Sequence, residues 1–246
     1  MNNCAVVIPV YKSSLDADEL FSVSYSLSQL QGHDVYWVAP QSLDIAYYVE
    51  KFKAKNVQRF EDEYFKNIEG YNRLLVSLQF YQRFDHYEFM LICQPDAIVL
   101  RPDLHTWLEK PYDYIGAPWP QGFSLKIQTA SIPMADEINC TAFVGNGGLS
   151  LRRNAACIQL LKEFPDVREQ WSVAGHAEDL FFSFVGNLSQ QFRIPNLMTA
   201  AHFAHDIDPG YLQKLISGQD PFGVHAWRKY ESQYWLKRVP WVNFVN

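Results

Sequence analysis

Chemistry in this chain has to come from a few carboxylates and imidazoles set among apolar residues. Asp96 is one, interrupting the run from Tyr87 to Arg101, YEFMLICQPDAIVLR. The five apolar residues Phe89 to Cys93 are too many for a half-exposed strand, whose side chains alternate between faces, so they predict a strand buried on both sides. Gln94-Pro95 stops the ladder because proline brings no N–H, leaving Asp96 at the carboxyl end of a central strand. Open α/β sheets bind ligands there. The plainer reading is a turn cap, a common use of Asp.

Glu178-Asp179 follows Ala174-Gly175-His176 at the predicted start of a helix over Ala177–Val185. A carboxylate there that faces a cleft can act as a general base, and it also complements the positive end of the helix dipole. Gly145-Asn146-Gly147-Gly148 puts three glycines in four positions inside a strand-like stretch, Thr141 to Arg152. That predicts a ligand pressed close to the backbone, or a hairpin turn, and fits neither the dinucleotide G-x-G-x-x-G pattern nor a P-loop. His225, in PFGVHAW, has the neighbours of a buried, satisfied histidine. His202, His205, Asp206 and Asp208 form a separate group of side chains suited to divalent metals. A site built from them would point to a metal-dependent phosphohydrolase, but the stretch has no helical frame to set its geometry.

These residues need a frame, and the N-terminal half supplies a repeating one. Cys4 to Tyr11 predicts a buried strand ending at Pro9, followed by a helix from Asp16 with Leu20, Phe21, Val23, Leu27 and Leu30 on one stripe. A strand over Asp34–Ala39, a helix over Leu43–Lys55 and a strand over Val57–Phe60 complete a βαβαβ alternation, the pattern of a parallel sheet with helices on its faces. A long helix over Ile68–Phe84 then leads into the buried strand. Beyond Asp96 the pattern predicts a short helix to Glu109, a strand over Tyr112–Trp119, an irregular loop over Pro120–Asn139, a helix over Asn154–Phe164 and a short strand over Phe192–Pro195. With no repeat or linker, the 246 residues read as one domain.

The net charge of −6 removes the broad attraction that non-specific nucleic-acid binding relies on, so no nucleic-acid partner is expected. Cys4, Cys93, Cys140 and Cys157 are scattered, and the start lacks a signal peptide, which predicts reduced thiols and a cytoplasmic location. No apolar stretch approaches the roughly 20 residues that cross a bilayer. The tail from Trp227 to Asn246 interleaves Arg228, Lys229, Lys237 and Arg238 with Trp and Tyr. That composition suits peripheral contact with a membrane, at its inner face here, or packing of the aromatics onto the domain.

In order, YEFMLICQPDAIVL, YDYIGAPW, VGNGGLSLR, AEDLFFS and PFGVHAW resemble a family of GT-A-type glycosyltransferase-like proteins, described mostly as a domain of unknown function. The likeness runs from about Tyr64 to Trp227, and VVIPVY resembles the first strand of nucleotide-sugar transferases. The resemblance implies an α/β fold: a GT-A-like (Rossmann-like), mostly parallel central sheet flanked by helices, with a smaller acceptor-side sheet. Its nucleotide-binding half would be about 1–118, its acceptor half about 119–226, and its tail 227–246.

The resemblance also implies roles. Such enzymes carry Asp-x-Asp where a metal bridges the donor diphosphate, and here the triplet is Gln94-Pro95-Asp96. The metal, Mn²⁺ or Mg²⁺, would be held by Asp96 and His225, with Gln94 in place of the usual first carboxylate. Asp179 would be the base of an inverting transfer, and Glu178 an acceptor-positioning group or the alternative base. Pro9, Val10 and Tyr11 would lie near the nucleotide, Asn146, Gly147 and Gly148 against the donor, and Trp119 on a sugar. The expected partners are a nucleotide-sugar donor and a glycan or lipid-linked acceptor. A sugar-binding relative without activity is the remaining alternative, because Gln94 removes a carboxylate.

Overall fold

The structure, a computed structural model, describes residues 3–127 and 138–239. Its first half runs β1 (Cys4–Pro9), α1 (Ala17–Gln29), β2 (Asp34–Pro40), α2 (Ala46–Phe52), β3 (Asn56–Phe60), α3 (Ile68–Leu75), α4 (Leu78–Gln82), β4 (Phe89–Cys93), β5 (Ile98–Val99) and α5 (Leu104–Leu108). The second half runs β6 (Tyr114–Ile115), β7 (Pro118–Ile127), β8 (Ile138–Val144), β9 (Leu149–Arg153), α6 (Asn154–Glu163), α7 (Pro165–Ala174) and α8 (Glu178–Leu188). It ends with α9 (Leu197–Phe203), β10 (Ala204–His205), α10 (Pro209–Leu215), β11 (Gly223–Val224) and α11 (Ser232–Leu236).

The central sheet has the order β3-β2-β1-β4-β9-β6. The first four strands are parallel, and β9 runs antiparallel to both β4 and β6. It is therefore the mostly parallel, helix-flanked α/β sheet expected. Alternation along β1 and β4 feeds two cores at once. Cys4, Val6, Ile8, Phe89, Leu91 and Cys93 pack on one face with Val23, Tyr48 and Trp107, while Ala5, Val7, Met90 and Ile92 pack on the other with Leu74, Tyr81 and Phe181. Both strands are buried along their whole length, as five consecutive apolar residues require.

The helix expected over Ile68–Phe84 is divided into α3 and α4. Ser77 divides it: its Oγ donates to the Leu74 carbonyl and accepts from Phe80 N–H, capping α4. The strand expected over Tyr112–Trp119 contributes only Tyr114-Ile115 to the central sheet before the chain leaves for β7. Much of the loop expected over Pro120–Asn139 is the β7–β8 ladder, with a register shift between Pro118 and Phe123; residues 128–137 lie outside the described residues. Phe192–Pro195 forms no strand, although the Arg193 carbonyl accepts from Asp113 N–H at 2.8 Å. Helix α7, with Pro165 in its first turn, was not anticipated.

A second sheet, β10-β11-β5, lies outside the first. The C-terminal segment packs beside it: Trp227, Trp235 and Val239 are buried with Phe21, Ile98 and Val224, Trp227 Nε1 donates to Ser22 Oγ, and Arg228 pairs with Asp18. Through Val239 the tail thus covers the domain with its aromatics, and residues 240–246 lie outside the described residues. Among the described residues no helix is long and apolar enough to cross a membrane.

Candidate functional site

Between β1 and β4 the strand order reverses, which opens a crevice beyond their carboxyl ends. A cleft of about 640 Å³ occupies that place. Pro9 and Tyr11 line it from the end of β1, Gln94-Pro95-Asp96 from the end of β4, and Asn146-Gly147-Gly148 from the approach to β9. Because β9 is antiparallel to β4, its amino end lies beside the carboxyl end of β4; Cys93 pairs with Leu149, and Gln94 N–H donates to the Gly148 carbonyl at 2.9 Å. Strand direction alone thus joins two motifs about fifty residues apart.

The small sheet brings in the C-terminal residues. Val224 pairs with Ile98 on one side and His205 on the other, so the residues next to the paired positions, Asp206 and His225, emerge beside Asp96. His225 Nε2 lies 3.4 Å from Asp96 Oδ1 and 3.2 Å from Gln94 Oε1, and Nδ1 lies 3.6 Å from Asp206 Oδ2. Burial opposes a charge on this imidazole, yet Asp206 and Asp96, one facing each ring nitrogen, more than offset it and raise the His225 pKa to about 10. Partial desolvation opposes the Asp96 carboxylate, whose side chain stays 51% exposed, and the facing His225 holds it below its ordinary value.

The glycines are there because side chains crowd them. A Cβ on Gly148 would fall within 2.5 Å of the His225 ring, and one on Gly147 would lie 3.0 Å from Glu178 Cδ and inside its Oε1. Glu178 is buried and pairs through Oε1 with Arg152 at 2.9 Å. Arg152 has no exposed surface; it donates to Tyr81 Oη and Ser150 Oγ and stands 5.1 Å from the ring centroids of Tyr114 and Phe182. Burial raises the Glu178 carboxyl against the pull of Arg152, while the guanidinium, which keeps its charge at any working pH, is held well above its ordinary value by Glu178 despite burial. Among the described residues Asp179 makes no such ion pair. Burial raises its carboxyl too, with the N–H groups of Leu180 and Gly147 opposing. It lies half-buried at the start of α8.

Of the other anticipated residues, Val10 is buried behind the cleft wall. Trp119 does not line the cleft: its ring fills the space against the Gly145 backbone and lies 5.6 Å from the Phe123 ring, tilted by 48°. The His202/His205/Asp206/Asp208 group is divided. His205 is fully buried, and desolvation, opposed by the Ala201 backbone, lowers its pKa to about 4; His202 lies in α9 and Asp208 caps α10. Only Asp206 reaches the cleft. The sequence reading missed Tyr71, Asn72, Lys66 and Lys229 on its rim; burial raises the Tyr71 hydroxyl, which also senses the charges of Glu178, Arg152 and Asp96. The apolar stripe of α3 could not reveal this, because Tyr71 reads there as another core residue. A larger groove, about 1010 Å³, lies between β8, α7 and α8. Its walls are mainly apolar, with His176 and the Cys140 thiol as titratable side chains and no carboxylate among its lining residues, so the acid–base chemistry belongs to the smaller cleft.

Among the described residues no three His, Cys, Asp or Glu side chains form a metal-holding group. Asp96 Oδ1 and His225 Nε2 nonetheless stand near the separation of about 3 Å expected for two neighbouring ligands at 2.0–2.1 Å from an octahedral cation. A cation held by one carboxylate, one imidazole and substrate phosphate oxygens fits this donor set.

The family model described as "Protein of unknown function (DUF5672)" matches residues 54–225, well over half of the chain. The chain belongs to this family. All the cleft residues named above except Pro9, Tyr11 and Lys229 fall inside that span. A search of curated proteins finds no match. Among solved structures, this DUF5672 member is similar to a glycosyltransferase involved in glycosylation of the major capsid of PBCV-1, at 11% identity and TM-score 0.49, covering 96% of this chain and 100% of the other. It is also similar to a protein described as a candidate glucose-1-phosphate thymidylyltransferase from Bacillus anthracis in complex with sucrose, at 11% identity and TM-score 0.45, covering 78% and 86%. A third, 4-diphosphocytidyl-2C-methyl-D-erythritol synthase from Anaerococcus prevotii, has 9% identity and TM-score 0.39, covering 66% and 75%.

Proposed function

We propose that this protein is a glycosyltransferase that moves a sugar, with inversion, from a nucleoside-diphosphate donor to a hydroxyl of a glycan or lipid-linked acceptor. The observation that carries the reading is the shared cleft: Asp96 and His225 stand in it with Asp179, and the side-chain-free backbone of Gly147-Gly148 lies among them. The donor would lie along the carboxyl ends of β1 and β4, with Tyr11 near its base and its diphosphate at Asp96 and His225. Mn²⁺ or Mg²⁺ held by these two residues would offset charge on the departing diphosphate. The acceptor oxygen attacks the anomeric carbon as the bond from that carbon to the diphosphate oxygen breaks; Asp179 takes the acceptor proton, and the bonding pair leaves with the nucleoside diphosphate.

Asp179 serves as base better than Glu178 for a physical reason. Glu178 is tied to Arg152, and a carboxylate that accepts a charge-assisted bond has less pull on a new proton. Asp179 is more accessible, makes no ion pair among the described residues, and is raised by burial, which brings its basicity closer to working pH. Asp179→Asn is expected to lower transfer by at least about 10²-fold, the usual span of general-base catalysis, while UDP affinity in the presence of Mn²⁺ stays near that of the wild type. Isothermal titration decides the larger question: a chain that binds none of the common nucleoside diphosphates, with or without Mn²⁺, is not this enzyme.

A further inference from the structure

Asp206 is only 3% exposed, an unusual place for an Asp, and the group facing it is the His225 imidazole. Its Oδ2 accepts from Asn146 Nδ2 and faces His225 Nδ1. Its Oδ1 is buried, lacks any donor among the described residues, and belongs to a side chain lining the cleft. Asn146 reaches it from a backbone conformation at φ +29°, which a side-chain-bearing residue seldom adopts. The Asn146 side chain is tied at both ends, since its Oδ1 accepts from Gly148 N–H at 3.3 Å.

We propose that Asp206, held by Asn146, is a positioning residue of the donor site: it faces Nδ1 of His225 and so presents Nε2 to Asp96, where a divalent cation carrying a nucleoside diphosphate binds. The inference rests on reading the cleft as a nucleotide-sugar site. The backbone supports it, because β10 and β11 are in parallel register at His205 and Val224, and His225 N–H donates to the His205 carbonyl at 2.9 Å. Asp206 and His225 are therefore held side by side by main-chain bonds. Nδ1 has a carboxylate before it and Nε2 has Asp96 and Gln94, so the ring is oriented from both edges. A carboxylate behind a metal-binding imidazole fixes its orientation and raises its basicity, and losing such a partner costs about 10–100-fold in metal affinity.

The test titrates the full chain with Mn²⁺ alone, with UDP alone and with both. Asp206→Asn is expected to weaken Mn²⁺ binding by about 10–100-fold, to leave metal-free UDP binding unchanged, and to diminish the spin-echo modulation from an imidazole nitrogen coupled to Mn²⁺. Asn146→Gly relieves the positive φ, so its melting temperature should hold or rise, yet its Mn²⁺ affinity should also fall because Asp206 loses its tether. A purely structural Asp206 would lower the melting temperature and leave Mn²⁺ affinity and modulation alone. Mn²⁺ binding as tight as the wild type's in both variants overturns the proposal; if Asp206→Asn does not fold, Asn146→Gly decides alone. A wild-type chain that takes up no Mn²⁺ even with UDP refutes the metal-assisted reading beneath it, a result separate from unaffected variants of a metal-binding wild type.

Discussion

Replacing Gly148 with alanine adds one methyl group at the centre of the cleft. The new Cβ would stand 2.5 Å from His225 Cε1 and closer to Nε2 and Cδ2. Ordinary contact begins near 3.4 Å and Nε2 would stand at 2.1 Å, so the ring must retreat by about 1.3 Å or the β4–β9 junction must open. The ring has little room, with Asp96 and Gln94 before one nitrogen and Asp206 before the other, while the Gln94–Gly148 main-chain bond pins the backbone. Overpacking of this kind costs about 1–3 kcal/mol. Its larger effect is on geometry, since a displacement of about 1 Å in a site can cost about 10²-fold in rate. Gly148→Ala should therefore retain the fold with a lowered denaturant midpoint, and lose most Mn²⁺-dependent UDP affinity and transfer. Gly210→Ala is the matched control: in α10 its Cβ would meet nothing nearer than Glu231 at 3.6 Å, so a helix-favouring substitution leaves binding intact. Gly148→Ala binding UDP and Mn²⁺ as tightly as Gly210→Ala would refute the claim that this glycine exists to admit His225.

Further outcomes follow from charges the fold has buried. Arg152→Leu leaves Glu178 buried without its cation and should cost about 3–5 kcal/mol, whereas the double change with Glu178→Leu should recover much of the loss; urea melts of the three proteins measure both. Burial places the Asp179 pKa above its ordinary 3.8, and a base works only when deprotonated, so kcat/KM should fall with decreasing pH through a limb above the usual Asp range, and that limb should vanish in Asp179→Asn. His205 is held neutral, its pKa lowered by desolvation from 6.5 to about 4. The unfolded chain then binds the extra proton first, so folding stability should fall as pH drops from 6.5 towards 4 and level off below that, by up to roughly 3 kcal/mol from about 1.4 per pKa unit. His205→Leu should flatten that segment of a stability-versus-pH curve, and an unchanged slope would show that another group titrates there.

Much of this site was legible because it hangs on strands whose ends are marked in the sequence. Five consecutive apolar residues, Phe89–Cys93, require a strand buried on both faces, and that places Asp96 just past its carboxyl end. Cys4–Pro9 did the same for Tyr11. What could not be read was pairing. Nothing local says that β9 runs antiparallel against β4 and so delivers Gly147-Gly148 to Gln94, or that two-residue strands at Ile98 and Gly223 meet. Ser77 hid a helix break because a serine is also tolerated within helices, and its capping role needed the Phe80 N–H to show itself.

Asp206 illustrates the same limit most sharply. In HFAHDID the titratable residues look like one metal-binding cluster, because proximity in sequence suggests proximity of side chains. Extended backbone does the opposite, sending successive side chains to opposite faces. His205 is carried into an apolar interior beside Trp235, 6.0 Å between ring centroids, and loses its charge; Asp206, one residue on, is carried to the cleft and faces His225 across the β10–β11 register. A period of two therefore dissolves the apparent cluster and builds another from residues 60 and 19 positions away, Asn146 and His225. Titration with Mn²⁺ separates the two groupings, because His202→Ala should bind Mn²⁺ as the wild type does and Asp96→Ala should not. The reverse result would restore the local cluster and remove Asp96 from the metal site.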